Sequence, residues 1–456
     1  MRIKSSKSIT SILLVGTMAL GGIALSACGS SQAKSDTTQA TWAELPQTPP
    51  NYIFPFMGLE YFSVSTINNF QFLMYRPLYW FGKGATPDLN PQLSVAELPT
   101  YSNNNTTVTV NLKGWKWSNG ETVDATDVMF WMNMLHADKD NWADYTPNLG
   151  IPDDIKTVTA DSATQVTFQL TEPVNPNWFT YNELSQISPM PLAWDITAVG
   201  AKAGSAGCAK AAYGTADAAC DSVYKFLSRQ SGYDPDNPKK ATGALKTYAS
   251  NPIWAVVNGP WKLDKFDAAG HVEFVPNKAY SGPSKPTISR FIEVPFTSDT
   301  AEFNALVGGK VDVGYLPATN VTSGTKSPFK AGPNNSRLSG TYNLDPLYAW
   351  GINYFPYNFG STGNNGTAGK IFSQLYFRQA FQTLVDQSLY IQKIAKGYGV
   401  PTYGPVPVYP ANSFVSKSSN VNPYPYSVEK ARKLLSSHGW KVIPGGQTTC
   451  VNAGTG

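Results

Sequence analysis

Histidine is scarce in this 456-residue chain. His136, His271 and His438 lie far apart, and none stands at metal-ligand spacing from a second histidine or a cysteine. That excludes a metal site built on a local motif. No G-x-S-x-G run offers a nucleophile elbow. Residues 364–370, N-N-G-T-A-G-K, end like a phosphate-binding loop, but the spacing fails and Ile371 replaces the required Ser or Thr. Charge is sparse too: 14% of residues are Asp, Glu, Lys or Arg, and the net charge is only +4. Such a balance argues against a nucleic-acid partner. No cofactor is expected. Carboxylate pairs of the kind used on glycosides stay open, because groups that meet in space need not be neighbours in sequence.

What is present begins at the amino terminus. Arg2, Lys4 and Lys7 precede an apolar, small-residue-rich run at residues 9–25, followed by Leu25-Ser26-Ala27-Cys28-Gly29. The run is short for a membrane span of about 20 residues. Small residues before a cysteine suit a signal peptidase, and the thiol can take a lipid. Residues 1–27 therefore read as a lipoprotein signal peptide, with Cys28 as the lipidation site and two chains holding the protein at the membrane. Removing the three positive charges of that segment lowers the formal net charge from +4 to +1. Residues 28–48 read as a flexible tether, because residues 30–41 are rich in Ser, Thr, Gln and Ala without an apolar period.

Even without its leader the chain exceeds the roughly 250–300 residues one core serves, so two or more domains are expected. Cys208 and Cys220 stand twelve positions apart. Outside the cytoplasm they can pair, closing a loop worth roughly 3 kcal/mol. Cys450 is then odd, and a partner beyond Gly456 is expected.

The stretch the chain is organised around is N-L-K-G-W-K-W-S-N-G-E-T-V-D-A-T-D-V, residues 111–128. Alternation over residues 106–112 predicts a strand. Ser118-Asn119-Gly120 predicts a turn, and Asp124 an N-cap with Asp127 in the first helical turn. Val128, Trp131, Met132 and Leu135 share one face of that helix. The stretch resembles the signature of the family 5 extracellular solute-binding proteins, the peptide- and nickel-binding class that serves ABC importers. Asn119 stands where the family has Asp, and Asp124-Ala125-Thr126-Asp127-Val128 keeps its A-x-D-V core. Further segments resemble the family in order: residues 88–99, 189–192 (P-M-P-L), 258–263 (N-G-P-W-K-L), 277–286 (N-K-A-Y-S-G-P-S-K-P), 310–314 (K-V-D-V-G), 377–380 (F-R-Q-A), 384–387, 397–407 and 428–440. Arg76-Pro77-Leu78 departs from the usual Glu-Gly-Leu.

The local patterns add element-level expectations. Residues 70–80 read as a helix and residues 158–170 as paired strands. Residues 288–296 read as a strand crossing a hinge. Asp299 and Glu302 read as a capping pair for a helix to Val307, completing a β-α-β unit with residues 310–314. Ala380, Phe381, Leu384 and Val385 read as a buried helical stripe.

The resemblance implies an α/β, two-lobed periplasmic-binding-protein-like fold of type II, with an extra small subdomain in lobe 1 and an incomplete second lobe. It divides the chain into residues 49–75 and 185–297 for the lobe 1 core, 76–184 for the small sheet-and-helix subdomain and 298–456 for lobe 2. In the family a longer remainder follows the position of Trp440, and the Asp that grips a peptide's ammonium lies there. The implied function is capture of a solute, an oligopeptide or another small ligand, in an interlobe cleft and delivery to ABC permease subunits, without catalysis. By position the resemblance nominates Phe56, Glu60, Tyr61, Tyr145, Tyr348 and Trp350 as ligand contacts. Competing readings are a surface hydrolase of peptides or glycans, which turnover would reveal, and a ligand-free structural or signalling lipoprotein, which a pocket plugged by its own side chains would reveal.

Overall fold

The computed structural model describes residues 38–83, 86–240, 242–322, 335–346, 351–360, 366–412 and 414–452. Twelve strands lie in four sheets among them: β1 (Gln39–Ala43), β2 (Phe81–Lys83), β3 (Thr86–Leu89), β4 (Thr100–Ser102), β5 (Thr107–Asn111), β6 (Ile155–Ser162), β7 (Gln165–Leu170), β8 (Trp261–Phe266), β9 (Val272–Pro276), β10 (Arg290–Val294), β11 (Trp440–Lys441) and β12 (Thr449–Cys450).

The organising stretch forms as its residues direct. Alternation in β5 turns Val108 and Val110 inward, where they register against Phe168 and Val166 of β7, and β6 flanks β7 on its other edge. The sheet order β4-β5-β7-β6 is antiparallel throughout. Gly120 closes the following turn at φ +94°, a conformation costly for any residue with a Cβ. The helix Ala125–Asp138 then starts on a capping box: the Asp124 carboxylate accepts from Thr126 N at 2.8 Å, and Asp127 Oδ2 accepts from Asp124 N at 3.1 Å. The same Asp127 oxygen accepts from Trp117 Nε1 at 2.7 Å, so the cap and the extended tryptophan segment lock each other. Burial raises the Asp127 carboxyl well above the usual carboxylate range. The single apolar face expected of this helix is an understatement. Met129, Phe130 and Met134 are buried as well, because the sheet covers one side and the helix Asp217–Gln230 another.

The second four-stranded sheet runs β1-β10-β9-β8, with β1 parallel to β10 and the rest antiparallel. Residues 39–43 were expected in the tether. They are instead a strand, held in register from Gln39 opposite Arg290 to Ala43 opposite Val294. Backbone pairing with β10 overrides their polar composition. β10 also behaves as a crossing strand. Phe291 packs against the large core that extends from Tyr52 to Tyr280, whereas Val294 packs against a second core of Ala43, Phe303, Leu306, Val311 and Leu338. The helix Asp299–Val307 follows, and Val313 pairs in parallel with Trp42, completing the β-α-β unit with β1 between its strands. Its cap is Ser298, whose Oγ accepts from Ala301 N at 3.2 Å, rather than Asp299, which sits in the first turn with Glu302.

Two further expectations shift. The helix sought at residues 70–80 occupies residues 66–74, since Pro77 bars the helical conformation at Arg76. The buried stripe sought at Ala380, Phe381, Leu384 and Val385 is instead Tyr376, Ala380 and Thr383 of the helix Leu375–Thr383, and Phe381 and Leu384 face solvent. The helix Val428–Ser437 matches its expected place, capped by Ser427 and stopped at Gly439, φ +82°. Cys208 and Cys220 are joined in a disulfide, and Cys450 is a free thiol.

Candidate functional site

The segment after Pro55 enters the core and then leaves it, which separates the nominated residues. Phe56 is fully buried, edge-on to Trp131 at 5.3 Å and to Tyr224 at 5.7 Å. Its ring packs in the apolar environment built by Trp131 and Tyr224. Glu60 and Tyr61, further along the same loop, are not claimed in this way. Glu60 is exposed. Tyr61 is half-buried, stacked on Tyr52 at 4.7 Å and edge-on to Tyr233 at 5.5 Å. Leu59, Phe62 and Val64 stand out into solvent beside them. An apolar lip of this kind, with one carboxylate in it, is an exposed patch that asks for a partner.

Three segments meet behind that lip. Ala143 N donates to Met57 O at 2.9 Å, which ties the loop after the helix Ala125–Asp138 to the Phe56 segment. A Cβ on Gly58 would sit 2.8 Å from Glu60 Oε2, so any larger residue there would push the Glu60 side chain aside. From the other side Tyr233, just past the helix Asp217–Gln230, reaches the lip edge-on to Tyr61, near the Glu60 charge. Burial, then the neighbouring Glu60 charge, raises the hydroxyl pKa of both Tyr61 and Tyr233. These tyrosines are therefore neutral donors at physiological pH.

Tyr145 comes to the same region with its hydroxyl already engaged. It donates to Asp153 Oδ2 at 2.9 Å, and the Lys139 ammonium lies 4.9 Å from its ring centroid while pairing with Asp153 Oδ1 at 2.5 Å. The hydrogen bond to Asp153 raises the Lys139 pKa. Burial pushes the Asp153 carboxyl up, but the bonds from Lys139, Asn148 N and Tyr145 outweigh it and hold the group below its ordinary value. Tyr145 thus offers a ring face and a fixed hydroxyl. Asp138 lies nearby, its carboxyl pushed up to about 7 by burial and by the charge of Asp221. Tyr233, Lys139 and Asp153 carried no local sequence signal. They matter here through contacts between segments remote in the chain. Tyr348 and Trp350 lie outside the described residues, as does Cys28.

The loop below is braced by the Cys208–Cys220 disulfide. Asn133 Nδ2 donates to Cys208 O and Ala211 O, each at 3.0 Å, and the Asp195 carboxylate accepts from Cys208 N and Ala209 N at 3.1 Å each. Among the described residues no group of three or more His, Cys, Asp or Glu side chains could hold a metal ion, and no helix is long and apolar enough to cross a membrane.

Comparison with known proteins bears on what this arrangement serves. The family model described as bacterial extracellular solute-binding proteins, family 5 Middle, matches residues 90–455. A Brucella ovis protein named as an ABC transporter peptide-binding protein is 27% identical over 201 residues, 43% of this chain and 33% of that one. Among solved structures, AppA of Bacillus subtilis, an oligopeptide-binding protein in complex with a nonapeptide, aligns with TM-score 0.56 at 16% identity, over 91% of this chain and 66% of that one. NikZ of Campylobacter jejuni, in complex with nickel–L-histidine, aligns with TM-score 0.54 at 17% identity, over the same shares. These likenesses show the fold, that of the two-lobed binding proteins. The chain spans about two thirds of these structures and the match covers a third of the curated relative.

Proposed function

Because this chain belongs to the bacterial extracellular solute-binding proteins, family 5, we propose that it is a lipid-anchored, extracytoplasmic receptor that captures a solute and hands it to the permease of an ABC importer. It grips without chemistry. An oligopeptide is the favoured ligand, bound extended with its backbone polar groups satisfied and its side chains in tolerant, wet pockets. The observation that carries this reading is the family match over residues 90–455, on a chain whose matched segments also pack on one another. Asn277 Nδ2, from one such segment, donates to Gly259 O at 2.9 Å in another, and Met190 N from a third donates to Asp127 O at 3.1 Å.

Glu60, Tyr61 and Tyr145 are the proposed ligand-facing residues among the described ones. Two neutral tyrosine hydroxyls near one carboxylate suit a neutral or cationic backbone end better than an anionic one. Lobe closure then favours the bound form through contacts made only in that state. The deciding experiment is native mass spectrometry of the full-length protein purified without denaturation, followed by calorimetry with the released species. Co-purifying peptides that rebind support the reading. A nickel chelate would redirect the ligand class, and covalent change in the captured molecule would overturn the receptor role.

A further inference from the structure

Arg76 stands where the chain leaves its first helix and enters the large core. Its side chain is only 7% exposed, and its Nε and Nη1 have no hydrogen-bond partner. The guanidinium lies over Trp80, its carbon 3.9 Å from the ring centroid, which offsets part of the lost hydration but supplies no acceptor. Among the described residues no carboxylate pairs with it. The one charged or titratable side chain that acts on it is Tyr280.

Two more orphaned polar groups sit on segments bonded to this one. Asn258 Oδ1 accepts from the backbone N of Arg76 at 2.8 Å, which leaves the fully buried Nδ2 of Asn258 without a partner. The buried Tyr280 hydroxyl is also unpartnered. Tyr280 cannot swing aside. Trp115 stands edge-on to its ring at 5.6 Å, and Gly282 lies so close that a Cβ there would sit 2.4 Å from the hydroxyl oxygen. The three segments are stitched together by Gly259 N donating to Met74 O at 2.7 Å and by the Asn277 amide donating to Gly259 O.

The nitrogens left over are donors only, and the tyrosine hydroxyl can donate as well. A buried cation with no counter-charge, beside a buried amide N–H and O–H with no acceptor, is costly unless an anion completes the set. We propose that Arg76, Asn258 and Tyr280 form a binding site for a small monovalent anion, a halide or a carboxylate of formate size. The occupant must be small, because Gly282 and Trp115 close the space around the hydroxyl, and singly charged, because one guanidinium supplies the only full positive charge among the three. Burial lowers the Arg76 pKa to about 10, so the guanidinium stays charged at physiological pH and the site keeps its attraction. The site is independent of the solute-capture reading, since none of its residues belongs to the lip.

The test is thermal unfolding of the full chain in sodium chloride and in sodium formate, each against sodium gluconate at equal ionic strength. Chloride, formate or both should raise Tm saturably, as mass action requires of a ligand of the folded state. Which of the two acts identifies the occupant. Tyr280→Phe keeps the ring and removes one donor, so the half-saturating concentration should rise about tenfold. Arg76→Gln should abolish the anion dependence. Should Arg76→Gln fail to fold, Tyr280→Phe still decides. If chloride raises Tm, bromide-soaked crystals should show an anomalous peak between Arg76 and Tyr280. Equal Tm in all three salts, an unchanged anion dependence in Tyr280→Phe, or, where chloride raises Tm, no bromide at the site would each overturn the proposal.

Discussion

Phe56 and Tyr61 sit on one loop and have opposite fates, which makes them separable by mutation. Phe56→Ala should empty a cavity among Trp131, Tyr224 and Phe54 and cost about 3–5 kcal/mol in denaturant unfolding. Tyr61→Ala removes a half-exposed ring and should leave stability nearly intact while weakening solute affinity of the full-length protein, read by calorimetry. Equal solute affinity in Tyr61→Ala and the parent would remove Tyr61 from the proposed contacts. A second residue-scale prediction concerns two glutamates, Glu44 just past β1 and Glu293 on β10. Burial pushes the Glu44 carboxyl up to about 7, and burial and the Glu44 charge push the adjacent Glu293 carboxyl well up. Tyr315 and Glu302 are the other titratable groups facing them, and neither supplies positive charge. Both carboxyls hold protons in the folded state that they release when unfolded. Their contribution is therefore fully present below about pH 4.5 and is lost as pH rises through about 7. Tm should fall as pH rises from about 4.5 to 7, and Glu44→Gln should flatten that fall. A parent Tm independent of pH between about 4.5 and 7 would contradict the burial of Glu44.

At the scale of elements, the corner from β5 into the helix Ala125–Asp138 depends on one carboxylate with two partners. Asp127→Ala removes half the capping box and strands the Trp117 indole N–H in the core. The cost should be about 2–4 kcal/mol, measured by chemical denaturation, with Asp127→Asn recovering part of it. The disulfide closes a short loop against the same helix. Cys208→Ser with Cys220→Ser should lower stability by roughly 3 kcal/mol, and a reductant should do the same to the parent protein but not to the variant. Turn and cap positions were readable because their chemistry is local. The shifted helix at residues 66–74 and the relocated face at Tyr376, Ala380 and Thr383 were not. Which face of an amphipathic helix is buried depends on the neighbour it meets, and that neighbour is remote in sequence.

For the molecule as a whole, β1 and β10 are the elements that run from one core to the other, so they are where relative movement of the two cores would be felt. A ligand that binds only the folded, closed form should stabilise the full-length protein by about 2.7 kcal/mol at a hundred times its Kd. Differential scanning calorimetry with the co-purified solute reads this directly. The amino-acid order alone determined the disulfide spacing, the capped corner at Asp124 and the run of segments that marks the family, because each depends on residues a few positions apart. Only the tertiary structure decided that Phe56 is core, that residues 39–43 are a strand, that Tyr233 joins Tyr61 near Glu60, and that Arg76 lies buried without a counter-ion among the described residues. Those outcomes turn on which distant segments share a surface. Burial and pairing are set by such contacts, and no local pattern encodes them.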